Sequence, residues 1–426
     1  MQKYIERLNA PEAEDRLKAL SVLAEMIRSG EMSGTEKLNF VNNHIHTIYS
    51  FSPYSPSKAV WMAYTSGLQT AGIMDHDSIA GAREFIRSGE VMGLAITIGA
   101  EIRVTMKNTP LAGKRTNNPD QDGVSYMAIH GVPHTQIDRL QGFLRSLSVK
   151  RNVRNKKMTD KLNGLMGPYG ISVDYAADVV PISMFAEGGS ITERHISMAL
   201  ARKILGKYPA GTELVRFMTE TMKITMTDKI KGYLSDNTNK FADYDLVGVI
   251  KSELIPKFFI PADEECPDLS EVIALVNEIG AILAYAYLGD VGVSVTGDKK
   301  TQKFEDDYLV EVFDTLKAFG VKAVTYMPSR NTIKQLTRLR ALCDEYGFLQ
   351  ISGEDINQPR QTFTCSALAN PMFGNLFETT YALIGHERLA TENADNGFFS
   401  EKTVREYPEL YERIKRFAAA GRAAGR

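Results

Sequence analysis

Cysteine is scarce. Cys266, Cys343 and Cys365 are scattered and show no Cys-x-x-Cys spacing, which argues against a disulfide framework and points to a reducing compartment. No apolar run is long enough to span a bilayer, Met1 to Arg28 carries charge throughout, and nothing resembles a signal peptide. Cytoplasmic residence with no membrane partner is therefore expected. Neither sign of charge is in excess: Lys and Arg number 50 against 52 Asp and Glu. No bulk field pulls such a chain toward nucleic acid, so no stable nucleic-acid partner is expected. There is no internal repeat. Histidine is scarce as well, with seven in 426 residues, yet His44, His46, His76 and His130 fall in one segment that also supplies carboxylates.

That segment has a rhythm. Short apolar runs lead into each candidate ligand: Leu38 to Val41 before His44, Gly72 to Met74 before Asp75 and His76, Ala95 to Ile98 before Glu101, and Tyr126 to Ile129 before His130. Between the first three lie helical patterns, one carrying Val60, Trp61 and Tyr64 with Ser57 as its expected cap, the next carrying Ala82, Phe85 and Ile86 with Ser78 as cap. The rhythm resumes at Asp268, which opens a helix in capping-box form, followed by strands expected at Gly280 to Ala284, Val321 to Tyr326 and Phe348 to Ile351. About seven β/α units result. In such a barrel the reactive residues gather at the carboxyl ends of the strands.

These residues resemble the motifs of the PHP family, the polymerase and histidinol phosphatase domain, and within it the TrpH-like phosphoesterases. His44, His46 and Thr47 match its His-x-His motif, Asp75, His76 and Asp77 its Asp-His pair, and Glu101 its bridging glutamate. His130 matches the next ligand histidine, Arg194 and His195 an Arg-Pro-His element lacking its proline, and Asp355 a late Ser-Asp-x-His motif. The chain departs from the pattern at Tyr285, where Ala-His-Pro is usual, and at Asn357, where the late motif ends in histidine. The resemblance covers roughly residues 36 to 134 and 270 to 360. It implies a distorted seven-stranded (β/α)7 PHP-type barrel with a helical insertion that covers the active site.

The residue types carry their own chemistry. Imidazoles with carboxylates suit manganese, iron or zinc, held by His44, His46, Glu101 and Asp355. Alternation places His44 and His46 on one side of the strand and Ile45 on the other. Glu101 has two oxygens with which to bridge ions, His130 would serve a second ion, and Asp75 or His76 a third or an outer position. Tyrosine and asparagine are poorer ligands than imidazole, so one or two metal positions are weakened and the count stays open between one and three. Arg194 is the candidate phosphate fork, His195 its helper or the acid for the leaving oxygen, and Tyr285 and Asn357 are expected to line the substrate site. The bland reading of Arg194 and His195 is a first helical turn with Ser190 and Glu193 as capping box. His134 and His386 have no identifiable partner and read as solvated. Asp290, Asp298, Lys299 and Lys300 read as a polar loop in which a lysine could meet a phosphate.

The expected organisation is an N-terminal helical arm over 1–35, barrel over 36–134, a mostly helical insertion or lid over 135–268, barrel over 269–360 and a C-terminal extension over 361–426. The arm's stripe, Leu17, Leu20, Ala24 and Ile27, would pack on the barrel or on a second copy of the chain in a homo-oligomer. The basic run from Lys150 to Lys157 is expected to be a solvated face that could attract an anion. After Asn357 an irregular segment and a helix near Glu401 to Ala420 are expected, with a fraying tail. The function these readings support is a phosphoesterase acting on a small phosphorylated metabolite or nucleotide by metal-activated hydroxide attack. A weakened metal- and ligand-binding protein and a PHP-type exonuclease are the alternatives.

Overall fold

The computed structural model describes residues 1–291 and 302–424, so Asp298, Lys299 and Lys300 lie outside the described residues. Seven strands form one sheet in sequence order: β1 Val41–Ile45, β2 Thr70–His76, β3 Ala95–Thr105, β4 Val124–His130, β5 Ile282–Ala286, β6 Ala323–Tyr326 and β7 Leu349–Ser352. Ile45 bridges to Ile356 just beyond β7, which nearly closes the sheet into a distorted barrel of the α/β class. Each of the seven apolar runs overlaps a strand, the first only at Val41. One runs the other way: β4 is antiparallel to both β3 and β5, while the remaining pairs are parallel. The expected β-α-β alternation fails there because no helix lies between Thr105 and Val124 to carry the chain back across the sheet.

Alternation along the strands sorts side chains into two layers. Ile73, Ile98, Met127, Ile129, Leu283, Tyr285 and Val324 face the surrounding helices. Met74, Ala128, Ile282, Ala284, Ala323, Leu349 and Ile351 form a second cluster with Ala382, Leu383, Phe398 and Phe417 from the C-terminal region. The residues after 361 are thus part of the barrel's packing. A helix over Gly374–Glu392, where the sequence predicts an irregular segment, lies across the amino-terminal ends of the strands, where Tyr381 donates to Gln69 and His386 Nε2 meets the Gly131 carbonyl. It is crossed by the Leu410–Ala424 helix at Gly385 and Gly421, where a Cβ on either would fall 2.0 Å from a carbonyl oxygen of the other helix. The helix expected from Glu401 to Ala420 is in fact two, Glu401–Glu406 and Leu410–Ala424, separated at Pro408, which cannot donate the hydrogen bond that would continue the first.

The N-terminal helix Ala13–Arg28 buries Leu17, Leu20, Leu23 and Ala24 within its own chain. It is fixed by the fully buried Arg16, whose Nε and Nη2 donate to Glu84 at 2.9 and 2.5 Å. Of the two expected surroundings for this stripe, its own chain supplies one, with Ile27 partly buried against the same cluster. Ser57 donates to that same Glu84, while the cap of the Pro56–Thr65 helix is Ser55. Ser78 is likewise not a cap: Gly81 precedes the Ala82–Met92 helix, and Ser78 donates to the Gly188 carbonyl.

Between β4 and β5 the chain is mostly helical, and its own apolar cluster, built on residues such as Met158, Leu162, Ile196, Leu200, Leu246 and Ile250, is separate from the barrel's. Its longest element, the Ile137–Met166 helix, divides the basic run. Lys150, Lys156 and Lys157 are exposed, whereas Arg151 and Arg154 are buried against carboxylates. Helical spacing turns those two arginines inward, so only part of the run is a solvated face. No helix of the described residues is long and apolar enough to cross a membrane.

Candidate metal centre

β1 carries an irregularity between Asn42 and Ile45, where Asn43 and His44 oppose the single residue Gly72 of β2. Ile45 points into the helical layer and its neighbours His44 and His46 face inward. On β2 and β3, His76 lies directly opposite Glu101. His44, His46 and Glu101 are all buried, and each offers one ligand atom within 4.8 Å of the others. Around them, His46 Nε2 lies 3.2 Å from Asp355 Oδ1. His76 Nδ1 lies 2.9 Å from Glu101 Oε2. The rings of His44 and His46 are 5.0 Å apart and those of His46 and His76 4.5 Å.

Several of these buried nitrogens lack partners. Nε2 of His44, Nε2 of His46 and both ring nitrogens of His130 make no hydrogen bond among the described residues. A buried polar atom left so costs about 1 to 3 kcal/mol, so three such rings around one carboxylate would be poor architecture unless something binds there. The donor set of imidazole and carboxylate fits a first-row transition metal.

The outer contacts orient this set. Asp75 accepts from the Thr47 amide at 2.7 Å, the Thr47 hydroxyl at 2.6 Å and the Ser50 hydroxyl at 2.6 Å. Both its oxygens are thereby engaged, which places it behind the centre. Because Ser50 donates to Asp75, its oxygen is left to accept from His46 Nδ1 at 3.3 Å, and the lone pair of His46 then sits on Nε2, facing Glu101 and Asp355. Asn357 plays a comparable part on the other side, donating to Asp355 Oδ1 at 2.6 Å. Burial works against charge on Glu101, but His76 and His44 outweigh it and hold the carboxylate well below its usual range. Burial also works against charge on Asp355, where His46, His44 and Arg194 prevail. His130 is pushed down to about 3 by burial and by His44.

The reversal of β4 puts His130 opposite Gly99 and Ala128 opposite Glu101. His130 therefore faces the interior one layer deeper than Glu101, and Tyr126, whose ring is 5.9 Å from that of His76, is the β4 residue beside the mouth. Tyr285 is not brought to the site. With Ala284 in the inner layer, strand alternation sends Tyr285 outward, fully buried among the helices and with its hydroxyl unpartnered.

Arg194 and His195 open the Glu193–Lys207 helix. Its capping box is formed by Thr192 and His195, not by Ser190 and Glu193: the Thr192 amide donates to His195 Nδ1 at 3.0 Å, and Ser190 instead donates to the His76 carbonyl at 2.5 Å. Burial, then Arg151, lowers His195 to about 3. It is therefore neutral at pH 7 with its proton on Nε2, a hydrogen-bond donor and not a proton donor. Arg194 is half-buried, forms no hydrogen bond or ion pair among the described residues, and acts electrostatically on Asp355.

Sequence reading passed over three neighbours of the centre. Ser50 shares Asp75 with His46 through space, a relation spacing does not encode. Arg330, whose Nε donates to the Leu288 carbonyl at 3.1 Å, also acts on Asp355 and comes from a loop without motif. Arg103 was accessible: two residues past Glu101 on one strand, alternation gives it the same face, and its Nε and Nη2 are buried without hydrogen bonds. His386 is not solvated, and His134, its side chain 35% exposed, has a partner. His386 is buried between the Gly131 carbonyl and the Phe398 amide, and His134 pairs with Glu387 at 2.8 Å, because the Gly374–Glu392 helix covers both.

No protein-family model and no curated protein matches the chain by sequence. Among solved structures, a candidate metal-dependent phosphoesterase from Bifidobacterium adolescentis is similar at 20% identity, covering 80% of this chain and 98% of that one with a TM-score of 0.51. An amidohydrolase from Chromobacterium violaceum, solved with sulfate and no metal, is similar at 14% identity over 76% and 90% of the two chains, TM-score 0.50. At these identities the likeness concerns the fold.

Proposed function

We propose that the protein is a metal-dependent phosphoesterase of the PHP family, acting on a small phosphorylated metabolite or nucleotide. The observation that carries this reading is the convergence of buried, unpartnered imidazole nitrogens of His44 and His46 on Glu101, with Asp355 beside His46. The description of the Bifidobacterium protein as a metal-dependent phosphoesterase supports it.

His44, His46, Glu101 and Asp355 would hold one ion, and His130 with Glu101 a second. Manganese, iron or zinc there would supply Lewis acidity toward phosphoryl oxygens and acidify water toward neutral pH. The chain's own groups do the rest. Ser50 and Asp75 fix the tautomer of His46, Asn357 aims Asp355, and His76 Nδ1 lies against Glu101 at 2.9 Å. The guanidinium of Arg194, unpaired among the described residues, forks onto a phosphate oxygen, as planar paired donors do, and the Nε2 proton of neutral His195 serves a neighbouring oxygen by hydrogen bonding. The insertion, which reaches the mouth through Ser190 and the Glu193–Lys207 helix, acts as a cover that sets specificity.

Purified protein loaded with manganese or zinc should release phosphate from phosphomonoesters, and His44→Ala should lose bound metal and phosphate release together. Turnover that survives in a metal-free variant would end the reading. Hydrolysis of amides by the loaded protein, with phosphoesters untouched, would redirect it to carbon–nitrogen bonds.

A further inference from the structure

The turn from His76 to Ile79 leaves β2 at the metal centre, and nearly everything that holds it belongs to the insertion. The Ser190 hydroxyl donates to the His76 carbonyl at 2.5 Å and the Ser148 hydroxyl to the Asp77 carbonyl at 3.1 Å. Ser78 donates to the Gly188 carbonyl at 2.9 Å, and Gln141 both accepts from the Ile79 amide at 2.9 Å and donates to that same Gly188 carbonyl at 2.8 Å. Arg151 donates through Nη1 to Asp77 Oδ2 and through Nη2 to Glu193 Oε2, the latter at 2.8 Å.

Asp77 needs holding. It is one of two non-glycine residues with positive φ among the described residues, at 49°, a region side chains enter at some cost. Its amide donates to the Glu101 carbonyl at 2.8 Å, so the same residue joins β2's end to the strand that bears the central carboxylate. Glu193 immediately precedes Arg194 and His195. A single buried guanidinium thus spans the turn that presents His76 and the helix start that presents the anion-binding pair.

We infer that Arg151 is a positioning residue of the metal centre, and that the insertion builds this centre as well as covering it. The inference rests on the metal reading above. Without the Arg151 bond the left-handed turn at Asp77 relaxes, His76 leaves Glu101, and the ligand set loses its arrangement. Arg154 provides the contrast: it pairs with Glu193 and Glu265 in the same buried network but makes no bond to the turn.

The test uses the full chain, stripped of metal and titrated with zinc alone, with affinity read by competition against a chelator and stoichiometry by elemental analysis. Arg151→Met should bind zinc about tenfold more weakly or worse, Arg151→Lys should recover part of the loss, and Arg154→Met should stay within about twofold of wild type. A purely structural arginine network would move Arg151→Met and Arg154→Met alike, and that result overturns the inference, as does wild-type affinity in Arg151→Met. Should Arg151→Met fail to fold, Gln141→Leu removes the insertion's acceptor for the Ile79 amide without stranding a charge; its zinc affinity should fall severalfold, and an unchanged value overturns the inference equally. A wild-type chain that binds no zinc, manganese or iron would instead remove the metal reading itself.

Discussion

At the amino-terminal end of the barrel, His386 has both ring nitrogens engaged, by the Gly131 carbonyl and the Phe398 amide, and Glu387 accepts from the Thr97 hydroxyl, the Ile98 amide and His134. Toward the carboxyl-terminal end, His44, His46 and His130 are as deeply buried and leave four ring nitrogens without a hydrogen bond. Burial, residue type and charge are similar at the two ends, and satisfaction is not. Polar groups that the chain satisfies by itself close a fold, whereas groups it leaves waiting are arranged for something that arrives later.

Substitutions should act with opposite character at the two ends. The largest effect is expected from Glu101→Gln, which keeps the side chain's shape: metal content by elemental analysis and phosphate release should both fall to background, while the metal-free protein unfolds within a few degrees of wild type by calorimetry. Severe destabilisation of that metal-free variant would show the mouth to be structural after all. Glu387→Ala should do the reverse. It strands the Thr97 hydroxyl, the Ile98 amide and His134, and a loss of about 3 to 5 kcal/mol in denaturant unfolding is expected, with metal affinity unchanged in the folded fraction.

Smaller effects sharpen the contrast. Ser50→Ala removes the acceptor that sets the tautomer of His46, so metal affinity should drop by roughly tenfold in chelator competition with little change in stability. The last effect is spread over a range of pH. Burial lowers His386 to about 4 from an ordinary value near 6.5. The folded protein therefore keeps this ring neutral where the unfolded chain takes up a proton. Stability from this group is complete above about pH 6.5 and is lost as pH falls toward 4, at up to about 1.4 kcal/mol per pH unit. His386→Gln should flatten the unfolding free energy over that window by about one proton, and an unaltered slope would show that His386 titrates normally.

Much of the mouth was legible because strand periodicity and ligand chemistry are local. An apolar run leading into His-x-His, Asp-His or Gly-Ala-Glu states both that a strand is present and what it presents, although β3 runs on past Glu101 to Thr105. The amino-terminal end was illegible for the opposite reason. The Gly374–Glu392 helix is buried from Leu376 through Ala390 on more than one face, so it offers no single apolar stripe against a polar one, and His386 and Glu387 look like surface residues until the strands they close are in place. Tyr285 fell between these cases. Its strand was found correctly, but which face a residue takes depends on register, and a shift of one residue sends it to the other layer.

The sequence alone determined the seven strands, the helices of the barrel and the residues with the chemistry to bind a metal, since each follows from the spacing of a few neighbours. Only the tertiary structure decided that β4 runs backwards, that Tyr285 faces away, that Arg151 and Arg154 turn inward, and that Asp75 is spoken for by Thr47 and Ser50. Those outcomes depend on which distant groups meet once the chain closes on itself, and a hydrogen bond or ion pair between them leaves no trace in the order of residues.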